Sequence, residues 1–287
     1  MFYRGKIRII PLILILLLSF SCKREVLDLK PSYISIDSIG LVTNSFQGTA
    51  SHNITDAWIY LNDEVQGIYE LPCKFPVLAE GMQKITVRPG IKINGIASTR
   101  MYYPFYEPIV YNVNLVKDST VHLSPVTSYN PAVVFAWMED FEDAGLSIER
   151  TSKSQVDIGK TSDTHEVFDG NYSGKIVLDS NRLLFECYSS NSFVLNGNAI
   201  NFLELNYKNN YDVTIGVFAY KTSETLQRSV LVLNKTTVWK KIYVNLSNAV
   251  AENMTAANFK VFIGILKNAT DSDIPTVYLD DIKLIHY

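Results

Sequence analysis

From Tyr33 to the last residue the chain is written in short apolar runs of about four to ten residues, each bounded by Gly, Pro, Asn or Asp. Runs such as "AWIYLND", "KITVRPG" and "DVTIGVFAYK" alternate apolar and polar positions, the period of a strand with one buried face. Between Tyr33 and Thr127 no stretch carries a convincing helical repeat. A chain divided in this way buries its apolar faces by stacking sheets, so the expected fold class is all-β: two tandem antiparallel β-sandwich domains. The supply of strand-forming residues agrees, with 17 Tyr, 14 Phe and 12% aromatic residues overall. At 287 residues the chain is long enough for two cores that need neither metal nor disulfide.

The first residues follow different rules. Arg4, Lys6 and Arg8 precede the apolar run Ile9 to Phe20, which is too short to span a bilayer as a helix of roughly 20 residues. The run ends in "LLSFSC". This resembles a bacterial lipoprotein signal, which implies cleavage before Cys22 and lipidation (palmitate) of that residue; Ser19 stands where the usual pattern has Leu, and Leu18 lies one place further back. The expected division is a signal peptide over 1–21, a lipidated cysteine and charged tether over 22–31, a small sandwich over 32–127 and a larger one over 128–287. The chain is expected to sit in the outer membrane by its lipid, on the periplasmic or the cell-surface side.

Within the first sandwich, "AWIYLNDEVQGIYELPCKFPVLAEGMQKITVRPG" gives a strand, an Asn-Asp turn, a Gly-containing return strand, a Pro-bounded link and a Glu-Gly turn into another strand. That order resembles the Ig-like PEGA repeats of bacterial surface proteins, which implies a spacer or binding module. The wording of the whole domain, from "TNSFQGTASHNITDAWIYLN" to "PGIKINGIASTRMYYPFYEP", resembles uncharacterised lipoproteins of Bacteroidota. Tyr102, Tyr103, Phe105 and Tyr106 form the densest aromatic cluster, punctuated by prolines that bar a central strand. They are candidates for a protein interface, with packing at the end of the sandwich or in the seam between domains as the heavier alternative.

The second sandwich carries an early "MEDFED", a "GNYSG" turn into a strand, the strand "WKKIYVNL" and an Asp-Asp pair in its last strand. These resemble the galactose-binding-like jelly roll common among carbohydrate-binding modules. The resemblance implies a structural Ca²⁺ held by oxygens of Asp140, Glu142, Asp280 and Asp281, with the turn from Asp169 to Ser173 beside them. Alternation in two strands places Phe218 and Tyr220, and in the other Tyr243, away from the core. If the strands are neighbours, those rings form a face on which a sugar can stack. Trp239 is expected in the core.

Catalytic patterns are missing from the sequence: His52, His122, His165 and His286 have neither metal nor triad spacing, and no phosphate loop or nucleophile elbow occurs. With 26 basic and 29 acidic residues, and no block of like charge, nucleic acid is not an expected partner. Cys73 and Cys187 are expected to be free thiols. "DSI" and "DST" resemble Bacteroidota O-glycosylation sites, which points to Ser38 and Ser119. The leading expectation is a non-catalytic interaction subunit of a cell-envelope assembly that meets an outer-membrane protein through the tyrosine cluster. The alternative is a surface glycan-binding protein using the jelly-roll face.

Overall fold

The computed structural model describes residues 30–287; the leader, the proposed lipidation residue Cys22 and most of the tether lie outside the described residues. The chain is all-β, and among the described residues the strands are interrupted by one short helix, α1 (Ser247–Ala251).

The first part contains β1 (Ser32–Ile36), β2 (Gly40–Val42), β3 (Asp56–Leu61), β4 (Glu64–Glu70), β5 (Cys73–Val77), β6 (Gly81–Lys92), β7 (Arg100–Tyr102), β8 (Ile109–Leu115), β9 (Thr120–Leu123) and β10 (Val126–Ser128). One sheet runs β5-β1-β9; the other runs β4-β3-β6-β7, with β8 also on β6. Ile34, Ile36, Ile59, Phe75, Ile85 and Val87 fill the space between them. The antiparallel expectation needs one correction, because β1 pairs parallel with β9 and β2 parallel with β10. The Pro-bounded link is itself a strand: β5 pairs only with β1, so Pro76 sits on a sheet edge where its missing N–H is tolerated.

The second part contains β11 (Val134–Glu139), β12 (Ile148–Arg150), β13 (Gly159–Thr161), β14 (Ser173–Val177), β15 (Leu184–Ser189), β16 (Asn201–Asn209), β17 (Val213–Tyr220), β18 (Thr225–Leu233), β19 (Thr236–Asn245), β20 (Asn258–Leu266) and β21 (Thr276–His286). A six-stranded sheet runs β13-β14-β21-β16-β19, with β11 on β21; a five-stranded sheet runs β12-β15-β20-β17-β18. The two inner faces meet in a core that includes Phe185, Leu205, Val217, Val261 and Leu279.

The six-stranded sheet does not end in solvent where the first sandwich begins. Tyr103, Phe105, Tyr106, Tyr129, Phe202, Tyr243 and Ile285 form a third buried cluster that joins the two parts. The hairpin after β6 closes onto β19: Asn94 N–H donates to the Tyr243 carbonyl at 2.9 Å, and Asn245 N–H donates to Asn94 Oδ1 at 2.8 Å. An edge strand that would otherwise invite foreign pairing is thereby occupied by the chain itself.

Candidate functional site

Each sequence-derived candidate has a definite place, and the places differ in what they offer a ligand. The aromatic cluster offers little. Tyr103, Phe105 and Tyr106 are at most 4% exposed, spent in the seam between the sandwiches. As interface residues for a protein partner they are therefore corrected to interior packing. Tyr102 alone reaches the surface, edge-on to Trp58 at 5.6 Å and beneath the Arg88 guanidinium.

The seam contains a charged network that sequence reading did not anticipate. Glu204 is fully buried; it accepts Tyr103 Oη at 2.8 Å and Tyr129 Oη at 2.9 Å. Lys241 Nζ lies 3.1 Å from the same carboxylate, in an ion pair whose angle falls outside hydrogen-bonding geometry. Burial, and then the negative charge of Glu204, push both phenols well above their usual range, so they remain proton donors. Tyr243 is also raised by burial and by Glu204; its hydroxyl meets Tyr106 Oη at 3.1 Å.

That location corrects the Tyr243 assignment. β19 belongs to the six-stranded sheet and β17 to the five-stranded one, so Tyr243 and Phe218 never share a face. Trp239 also departs from expectation: it stands on the outer side of β19, half-buried, against Phe168 at 5.3 Å.

The four acids of the calcium expectation do line one cavity of about 290 Å³, together with Asp169, Gly170 and the loop Ser45–Thr49. β11 and β14 share one edge of β21, and Asp280 and Asp281 fall in the gap between them, with Asp281 at a positive φ of 47° in a bulge of β21 opposite Leu205 of β16. Their oxygens, however, are largely engaged. Glu142 accepts the backbone N–H of Asn171 and Tyr172, an approach that Gly170 permits because a Cβ there would strike the carboxylate. Asp280 accepts Ser173 Oγ and the Asp281 N–H, and Asp281 accepts Thr49 Oγ1 and Asn206 Nδ2. Burial lifts the Asp280 carboxyl to about 7. Among the described residues no three His, Cys, Asp or Glu side chains are grouped so as to hold a metal ion.

The outer face of the five-stranded sheet has the features of a binding surface. Registered rows run Tyr188, Phe262, Gly216, Ser229 and, one step away, Lys260, Phe218, Gln227. Phe218 and Tyr220 both stand on this side and are half-buried, leaving part of each ring to solvent. Phe218 meets Phe262 at 5.1 Å and Tyr188 edge-on at 6.2 Å, and Lys260 Nζ sits 4.2 Å from the Tyr188 ring centroid.

Beside the rings lies a groove of about 300 Å³ lined by Glu186, Thr214, Gln227, Ser229, Phe262 and Gly264, among others. Gln227 Nε2 donates to Glu186 Oε2 at 2.7 Å, reaching across the two intervening strands. Thr151 Oγ1 holds the other carboxylate oxygen at 2.8 Å. Glu186, Tyr188, Lys260 and Phe262 were not singled out from sequence; the off-core positions of "LFECYS" and "FKVFIGIL" carry the signal that finds them.

Ser38 is exposed in the loop after β1, whereas Ser119 is half-buried and its hydroxyl donates to the Val116 carbonyl at 2.6 Å. Cys73 and Cys187 are free thiols, and burial pushes Cys187 up to about 12.

Neither a protein-family signature nor a curated protein matches this chain. Among solved structures it is similar to a carbohydrate-binding module of the β-sandwich superfamily described for promiscuous specificity, at 15% identity, covering 80% of this chain and 85% of that one with a TM-score of 0.40. It is also similar to a xylan-binding domain from Paenibacillus barcinonensis, at 15% identity over 52% of this chain and 97% of that one, TM-score 0.39. A family 30 carbohydrate-binding module of a cellulosomal cellulase from Clostridium thermocellum matches at 14% identity over 54% and 94% of the two chains, TM-score 0.36.

Proposed function

We propose that this chain binds glycans, without catalysis, through the outer face of the five-stranded sheet, and that it does so from a lipid anchor at the outer membrane. The observation that carries the reading is the pairing of half-open rings, Tyr188, Phe218 and Tyr220, with a groove whose polar groups are already oriented. A pyranose ring has an apolar face that stacks on an aromatic plane and a rim of hydroxyls that needs donors and acceptors. Glu186 is fixed by Gln227 and Thr151, yet an ionised carboxylate keeps lone pairs free for sugar hydroxyls; Lys260 supplies a donor beside the rings. Preorganisation of this kind reduces the ordering cost of a weakly held, flexible ligand.

Retention on an array of plant and bacterial polysaccharides tests the reading. The mature chain is expected to hold at least one polysaccharide, and Phe218→Ala and Tyr188→Ala are expected to lose it. An array blank for the intact chain sinks the proposal, as does retention that both variants preserve. The lipid anchor is tested separately by metabolic labelling with a palmitate analogue, which Cys22→Ser is expected to abolish.

A further inference from the structure

We infer that the chain has a second binding site, for a sugar unit carrying an acetamido group, in the cleft where the first sandwich meets the open side of the second. β18 and β19 are edge strands of their respective sheets and are joined through Asn234 and Lys235, so the two sheets part along that side. Asn94 and Gly95, in the hairpin after β6, stand against it. Gly95 has a φ of 70°, and a Cβ there would lie 3.4 Å from Ile242 Cδ1. Between these parts opens a cleft of about 460 Å³, within the roughly 300–1,000 Å³ usual for small-molecule sites. Its apolar wall comes from Ile96, Leu231, Leu233 and Ile242, and no lining residue is acidic.

Tyr207 carries the assignment. It is 6% exposed, it lines this cleft, and its hydroxyl makes no hydrogen bond among the described residues. That hydroxyl is not one of the unpartnered polar atoms sealed from solvent, and the cleft is where it gains access. Burial holds the phenol above its usual range, so at neutral pH it can both donate and accept. Two asparagines of the first sandwich line the same space, each tied to β19 by one end of its amide. Asn53 Nδ2 donates to the Lys241 carbonyl at 3.2 Å, which leaves its Oδ1 as an acceptor. Asn94 Oδ1 accepts the Asn245 N–H at 2.8 Å, which leaves its Nδ2 as a donor. An acetamido group is the complement: its carbonyl takes the Asn94 donor, its N–H the Asn53 acceptor, and its methyl the aliphatic wall. Asn234, Lys240 and the Tyr207 hydroxyl, whose polar atoms have no partner among the described residues, remain for the hydroxyls of a sugar ring. The cleft shares no lining residue with the groove on the five-stranded sheet, so the two sites can fail independently.

Calorimetric titration of the mature chain with chitotriose, the N-acetylglucosamine trimer, and with cellotriose, which has hydroxyls in place of the acetamido groups, tests the inference. Both titrations are repeated with Phe218→Ala, which disables the sheet face and leaves the cleft intact. Chitotriose is expected to bind both proteins equally, and cellotriose to bind Phe218→Ala about tenfold more weakly than chitotriose does. Tyr207→Phe removes a hydroxyl that the fold does not use, so it is expected to keep the melting temperature and to weaken chitotriose about fivefold. Asn234→Ala, on the exposed connection between β18 and β19, is expected to weaken it about threefold. Failure of the intact chain to bind chitotriose overturns the inference, as does equal affinity of Phe218→Ala for the two sugars. Full affinity for chitotriose in both Tyr207→Phe and Asn234→Ala also overturns it. Loss in Phe218→Ala with retention in Tyr207→Phe does the same, by moving the acetamido sugar to the sheet face.

Discussion

Glu204 shows how much one buried charge can hold together. Its carboxylate collects two phenols and an ammonium from three segments of the chain, none of which contains enough sequence context to announce the meeting. Removing it leaves Lys241, whose side chain is 2% exposed, as an uncompensated cation in the seam. Glu204→Ala is expected to destabilise the protein by about 3–5 kcal/mol, read as a shift in the urea midpoint. Glu166 makes a smaller and pH-dependent contribution. Burial opposes its ionisation, but hydrogen bonds from Lys175, Thr161 and Tyr278 outweigh it and bring the carboxyl down to about 2. A folded value below the ordinary 4.5 means that its stabilisation is present above that pH and is lost as pH falls toward 2. Glu166→Gln is expected to flatten the loss of stability over that window and to cost about 1 kcal/mol at neutral pH, since solvent screens a partly exposed pair. An unaltered acid limb in the melting temperature contradicts the assignment.

At the scale of the element, the five-stranded sheet depends on what β17 omits. A Cβ at Gly216 would run into the Arg228 carbonyl of β18 and the Phe262 ring of β20. The glycine therefore lets β18 close at a bulge and lets Phe262 lie across the strand. Gly216→Ala is expected to cost at least about 2 kcal/mol by denaturant titration, while a solvent-facing change such as Thr225→Ala costs under about 0.5 kcal/mol. The strands themselves were legible because alternation is local: β3, β6, β17, β20 and β21 fall on the runs that announce them. The edge strand β5 was not, since Pro76 argues against a strand until the sheet order shows that its N–H has no neighbour to meet. Phe218 and Tyr220 were placed on one face from their spacing alone, whereas Tyr243 was misplaced, because which strands become neighbours is decided by non-local pairing and not by the pattern within either strand.

At the scale of the whole molecule, two sandwiches share a buried seam, and that sharing decides which surfaces remain for binding. The first sandwich covers the part of the six-stranded sheet that carries Glu204, Asn206, Lys241, Tyr243 and Lys283, drawing in tyrosines that by composition alone suit an exposed interface. The all-β fold class followed from strand length and punctuation; packing in a seam between domains was the heavier of the two expectations for the tyrosines, but the interface alternative stood beside it, because aromatics destined for a domain boundary and aromatics destined for a partner look alike in sequence. The outer face of the five-stranded sheet is left open. The measurement that bears most directly on the glycan reading is the dissociation constant of the strongest array ligand for the intact chain and for Phe218→Ala, determined by calorimetry alongside their melting temperatures. The account predicts at least a tenfold weaker constant in the variant, corresponding to about 1.4 kcal/mol of lost ring stacking, with the melting temperature held within a few degrees. An identical constant in a folded Phe218→Ala protein would contradict it.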